Sequence, residues 1–375
     1  MVPGNKQALQ NKSQLVSTAV DEKYYPSLNG LRGVSIIMVL MAHLHLSRNP
    51  VYSFCFNGAL GVDIFFVLSG FLITSICLRE YKLTGGVSLK NFYLRRILRI
   101  IPVAYLYIIL IIALNILFHL QIPYFQFINA SLFLMNSGFF QKHTYTQELV
   151  HYWSLSVEEQ FYIIFPFILK RSFKVFFIYT LVIVTVLPVF CGFQVLLNIP
   201  DNGFLYLLTR LLFKFQAIAV GCLLAMFVYK KQLDYKWLLS YKTTGNLVAI
   251  FIIFFIQYDQ FYSIKAVYTN LTISVLIAYI IISNIVASPT VIFRLLNSRV
   301  LSFIGLLSYS IYIWQQVFTY GNPKLPWYLI TFPYNLIFIM IVSCLSYFLF
   351  ERYFLSLKYK FSKVKTWGGL VETNE

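Results

Sequence analysis

The sequence predicts an all-α polytopic integral membrane protein, with about ten transmembrane helices and one short re-entrant or interfacial segment. Three observations lead there. The 375 residues are 59% hydrophobic and only 11% charged, whereas soluble domains carry about a quarter charged residues. Apolar runs of about 20 residues, enough to cross a bilayer core as a helix, recur along nearly the whole chain. The basic residues gather between those runs and alternate with charge-poor loops. The net charge of +17 therefore reads as a positive-inside pattern and not as a nucleic-acid-binding stripe.

Each element follows from that charge pattern. Residues 1–23 are polar and lack the apolar core of a signal peptide, so a cytoplasmic tail is expected. The basic clusters lie at Arg79–Arg99, Lys170–Lys174, Lys230–Lys236, Arg294–Arg299 and Lys358–Lys365. Placing them all inside, with the N-terminal tail, sets spans near 31–47, 58–78, 100–120, 153–169 and 175–198. Further spans fall near 207–229, 245–258, 266–286, 301–320 and 327–349, and both ends are then cytoplasmic. Arg48, Lys142, Arg210, Lys214, Lys265 and Lys324 alone remain outside or in outer halves of spans.

Residues 126–140 (QFINASLFLMNSGFF) do not fit as a crossing, because they would reverse every later basic cluster. They are read as the re-entrant or interfacial piece, which needs protein or water over its backbone. The division is then a tail over 1–23, a membrane domain over 24–353 and a basic cytoplasmic tail over 354–375. The five cysteines form no CxxC pair and read as small buried hydrophobes, and no metal site is expected.

Several ionisable residues fall inside these spans, where burial is unfavourable and function is the first hypothesis. In LNGLRGVSIIMVLMAH, Arg32 and His43 lie eleven residues apart, roughly 16 Å of helical rise. With Arg32 at the inner face, His43 sits near mid-membrane, either as a functional group or as an interhelical hydrogen-bonding one. Asp63 and Ser69 lie in GALGVDIFFVLSGFLIT. Asp63 is either functional or a partner for a nearby cation, and the glycines there permit close helix approach.

Arg96 and Arg99 share a helix face and suit phosphate groups, although a lipid-headgroup anchor explains them too. In HYWSLSVEEQFY, Trp153 marks the outer interface and Glu158 lies about 8 Å below it, in reach of His43 if the helices are neighbours. A carboxylate that orients a histidine is a common general-base arrangement. Arg210 and Lys214, one turn apart, either pair with an acid or an anionic ligand or snorkel outward.

Taken together these pieces resemble the bacterial acyltransferase 3 family of integral-membrane O-acyltransferases. The resemblance rests on LNGLRG with the later His43, GVDIFFVLSGFLIT, FYLRRILRIIP, WSLSVEEQFY, LSYSIYIWQQ and FLFERYF, in order over residues 28–353. It implies transfer of an acyl group, most simply acetyl, from cytoplasmic acyl-CoA to a hydroxyl of a cell-envelope glycan or lipid-linked saccharide, at the bacterial inner membrane. By this resemblance His43 and Glu158 are expected to be catalytic, and Arg32, Arg96 and Arg99 to hold the donor; Asp63 joins the expected catalytic residues on its depth in the span. Ser69, Trp153 and Arg210 are expected to contact the acceptor. Many relatives carry a histidine where this chain has Gln315-Gln316, so a second base from that position is not expected here. The expected partners are acyl-CoA, the acceptor and membrane lipid; no metal and no nucleic acid are expected. The alternative is a transporter or flippase, which predicts an inverted repeat that the sequence does not display.

Overall fold

The structure, a computed structural model, describes residues 27–44, 57–136, 146–197, 209, 212–230, 241–258, 265–285, 290–319, 322–358 and 361. Among the described residues it is helical, with no strand. The helices are α1 (Leu28–His43), α2 (Gly58–Thr84), α3 (Leu89–Phe118), α4 (Tyr124–Ser131), α5 (Tyr152–Arg171), α6 (Phe173–Leu196) and α7 (Gln216–Tyr229). There follow α8 (Lys242–Tyr258), α9 (Lys265–Ile285), α10 (Val291–Leu296), α11 (Arg299–Leu306), α12 (Ser308–Thr319) and α13 (Trp327–Ile330). α14 (Tyr334–Leu345) continues through a π-helical segment, Ser346–Glu351, into α15 (Arg352–Lys358).

By length and composition, Gly58–Thr84, Leu89–Phe118, Phe173–Gln194 and Tyr334–Lys358 can each cross a membrane. The pair α11 and α12, bent by 70° about Leu307, makes a fifth crossing if it is one span. Leu28–His43, Gln216–Tyr229, Lys242–Ile256 and Thr269–Ile285 are apolar but shorter. α5 has twenty residues, yet Glu158, Glu159, Lys170 and Arg171 dilute its apolar character. The helical membrane-protein character is therefore in place; by length and composition four helices among the described residues, or five with the bent pair, are able to cross a membrane, and the four shorter apolar helices fall below that length. Within residues 126–140, the described part is the eight-residue α4 followed by turns, too short to cross.

The basic stretch from Arg79 to Arg99, which the apolar runs leave between two spans, is mostly helical, because α2 runs on to Thr84 and α3 begins at Leu89. Gly85 (φ 73°) closes α2, in the left-handed region that glycine enters without strain. Ser88 then caps α3 by accepting the Asn91 amide at 3.4 Å. Charge at a helix end looks like a loop to a hydropathy reading, which sees only where the apolar run stops. Pro102 lies inside α3.

Glycine seams set the bundle. A Cβ on Gly70 would lie 2.0 Å from the Ile218 carbonyl oxygen, and one on Gly221 would lie 2.1 Å from that of Val67, so α2 and α7 meet backbone to backbone. Cys222 Sγ adds a hydrogen bond to the Gly70 carbonyl at 3.6 Å. α1 is gripped in the same way, by α11 at Gly33 and Gly305 and by α2 at Gly61, whose carbonyl accepts a hydrogen bond from Ser35 Oγ. Ala42 packs on Gly58, and Val39 on Gly61. α1 and α2 are therefore antiparallel, with His43 level with the first turn of α2.

Candidate active site

These seams leave a cavity of about 270 Å³ bounded by α1, α2, α3, α5, α11, α12 and the α14–α15 rod. Two of its lining residues, Val62 and Arg79, are seventeen residues apart on α2, so it extends over roughly 25 Å of the helix axis. A bilayer hydrocarbon core is about 30 Å thick, a length of the same order.

The end near the α2–α3 turn is basic, with Arg79, Arg95, Arg96 and Lys358 lining it. Arg95 is neutralised by Glu80, whose Oε2 accepts its guanidinium at 3.1 Å while Oε1 accepts the Ser88 amide at 3.0 Å. Arg95 also donates to the Phe361 carbonyl at 3.0 Å. With Glu80 1% exposed, this pair clamps the helical hairpin together. Arg96 instead lies 4.5 Å above the Tyr162 ring, a cation–π contact that leaves its hydrogen-bonding edge available to a ligand.

The middle of the cavity is a charge cluster. Ser69 Oγ donates to Glu158 Oε1 at 2.7 Å, and Ser310 Oγ donates to Glu351 Oε2 at 2.6 Å. Glu158 lies within electrostatic range of Arg96, Arg99 and Arg32, and Glu351 within range of Arg99 and Arg32. Two serine-held carboxylates thus face the arginines, from α5 and from the π-helical segment. π-helical segments are frequent at functional sites because the extra residue in the turn redirects side chains. The opposite end is lined by Val62, Phe65, Ser154 and Tyr312. There the Tyr312 and Ser154 hydroxyls bond each other, and Tyr312 also donates to the His151 carbonyl at 2.8 Å.

Of the residues singled out in the sequence, Arg32, Arg96, Arg99, Ser69 and Glu158 meet in this cavity. His43, Asp63 and Trp153 are not among its lining residues. Trp153 packs edge-on against Phe66 at 6.3 Å and lies 6.0 Å from the Lys214 amine, which donates to the Asn136 carbonyl at 3.1 Å. Arg210 lies outside the described residues. Glu158 is set among the arginines beside Ser69, eleven residues along α2 from Gly58 and roughly 16 Å below the level of His43.

His43 is instead in electrostatic range of His151. His151 is 2% exposed, and both of its ring nitrogens lack a hydrogen-bond partner among the described residues. The rings of Tyr107, Tyr152 and Tyr312 enclose it at 5.2, 4.9 and 5.7 Å.

Sequence reasoning missed Glu351, Lys358 and His151. Glu351 had a signal, being the only acid in the long apolar stretch after Pro333. Lys358 counts in the sequence as one lysine of a basic tail, and only the continuation of α15 carries it to the cavity.

Comparison with known proteins identifies the family and leaves the site to the geometry above. The family pattern for an acyltransferase domain matches residues 25–352. The O-acetyltransferase OatA of Staphylococcus aureus strain NCTC 8325 is 31% identical over 315 residues, covering 78% of this chain and 50% of that protein. A provisionally named O-acetyltransferase of S. aureus strain COL is 30% identical over 330 residues, covering 81% of this chain and 52% of that one. The chain therefore spans about half the length of the curated relatives it matches. No solved structure matches it.

Proposed function

The chain belongs to the acyltransferase-domain family, and from that membership we propose that it is a membrane O-acyltransferase with a cytoplasmic acyl-CoA donor. The acceptor in this reading is a hydroxyl of an extracytoplasmic or lipid-linked glycan, and acetyl is the simplest acyl group. The observation that carries it is the cavity itself, which is basic at one end, extends over roughly 25 Å and ends at hydroxyl groups.

The donor's phosphates would rest on Arg96, Arg99 and Arg32, whose guanidinium forks match phosphate oxygens. Its thioester arm would run along Ser69 and Phe65 toward Val62. His43 stands about one and a half turns beyond Val62, and side chains tilt toward the N-terminus of their own helix, here toward the cavity. His43 would take the proton of the acceptor hydroxyl as its oxygen attacks the thioester carbon. The C–S bond then breaks, and the proton passes to the departing thiolate sulfur. A variant of this reading has His43 carry the acyl group briefly. Glu158 and Glu351 would hold Arg32 and Arg99 in place for the donor.

The test is label transfer from acetyl-CoA to surface glycan, comparing wild type with His43→Ala at matched membrane abundance. Transfer is expected in the wild type, with a fall of at least about 100-fold in the variant. Transfer at full rate in His43→Ala removes His43 from the chemistry. Absence of transfer from every acyl-CoA in the wild type refutes the donor assignment and revives the transporter alternative.

A further inference from the structure

Lys358 is a cation that the reading above does not use. It lies at the end of α15, lines the cavity and is in electrostatic range of Arg99, Arg96, Arg32 and Arg95. A lysine brought among four arginines inside a membrane-embedded cavity is repelled by all of them. Of those arginines, only Arg95 has a dedicated carboxylate, Glu80, among the described residues. The lining carboxylates, Glu158 and Glu351, face Arg32, Arg96 and Arg99. Glu159, buried behind the lining, is in electrostatic range of Arg96; among the described lining residues the cations still outnumber the acids, and the surplus calls for an anionic ligand.

The order of groups along the cavity says which charged group Lys358 meets. Seven residues of α15 separate it from Glu351, about 10 Å of rise, and it lies on the side of the α2–α3 turn. Arg99 and Arg32 lie deeper, beside the two serine-held carboxylates. An acyl-CoA carries its groups in a fixed order: the thioester, the pantetheine arm, the diphosphate, and last the phosphomonoester on the ribose. With the thioester toward Val62, the diphosphate falls beside the deep arginines and the monoester falls at the mouth. A lysine amine is a compact point charge with three donors and suits a terminal dianionic phosphate.

We infer that Lys358 is a specificity residue for the ribose phosphomonoester of the acyl-CoA donor, and that α15 forms one wall of the donor mouth. The inference rests on the acyl-CoA reading of the preceding subsection.

The experiment measures kcat/KM of the purified full chain for acetyl-CoA and for acetyl-(3′-dephospho)-CoA. It uses wild type, Lys358→Gln and Lys358→Arg, with both donors read on each preparation. Because the ratio between donors is taken within one preparation, it does not depend on the folded fraction. Wild type is expected to prefer acetyl-CoA by about tenfold or more, the value of a charge-assisted hydrogen bond. In Lys358→Gln that preference should fall to within about twofold, while Lys358→Arg should keep most of it. A Lys358→Gln ratio equal to that of wild type overturns the assignment, as does a wild type with no preference. A wild type that uses neither donor overturns the acyl-CoA reading, and this inference with it.

Discussion

Arg99 shows how much a single side chain contributes to the donor reading. It faces Glu351 and Glu158 and shares its helix face with Arg96. A lysine in its place keeps the charge and loses the two-pronged hydrogen bonding that phosphate oxygens accept. Arg99→Lys is therefore expected to raise KM for the acyl donor by about tenfold, with kcat changed by less than about threefold. Steady-state kinetics over a donor concentration series reads this directly. A fall in kcat at unchanged KM would assign Arg99 to the chemical step. His43 poses the opposite case, since it lies beyond the cavity's far end and its substitution should act on the chemical step rather than on donor binding.

At the scale of helices, the decisive feature is the contact between α2 and α7, built on Gly70 and Gly221. Any side chain at Gly221 meets the Val67 carbonyl, and backbone cannot step aside as a flexible side chain does. Gly221→Leu is expected to separate the two helices and to destabilise the fold by more than the ~1–3 kcal/mol typical of overpacking. The thermal unfolding midpoint of the detergent-purified protein should fall clearly. Gly86, in the turn between α2 and α3, has open space around it, with nothing within 4 Å of the place an added methyl would occupy. Gly86→Ala should therefore leave the midpoint within about a degree or two, since surface substitutions away from special features stay near ±0.5 kcal/mol. Equal losses in both variants would mean that the seam does not set the bundle.

For the whole molecule, the basic mouth and the hydroxyl-lined far end define a direction. If the mouth faces the cytoplasm, a donor that cannot cross membranes works only from that side. In sealed inverted vesicles, added acetyl-CoA should label the lumenal acceptor, and in right-side-out vesicles it should not, unless the vesicles are permeabilised. Labelling from outside intact right-side-out vesicles would reverse the orientation that the charge pattern implies.

Composition and periodicity were enough to establish a helical membrane protein, because bilayer solvation imposes long apolar runs and basic flanks wherever the helices end up. The ordered motifs were enough to indicate the family, and they held Arg32, Ser69, Arg96, Arg99 and Glu158, all of which line one cavity. The sequence could not say which carboxylate faces which cation. That depends on the rotation and level of helices set by backbone contacts at Gly33, Gly70, Gly221 and Gly305. With α1 and α2 set by those contacts, and α5 tied to α3 by the Tyr152 hydroxyl on the Ala104 carbonyl, Glu158 meets Ser69 rather than lying level with His43, and His43 lies near His151. Glu351 and Lys358 join the cavity because the chain continues as one rod through a π-helical turn, which redirects side chains without changing hydropathy. Hydropathy records how apolar a helix is, whereas the site depends on how each helix is turned, and packing alone decides that.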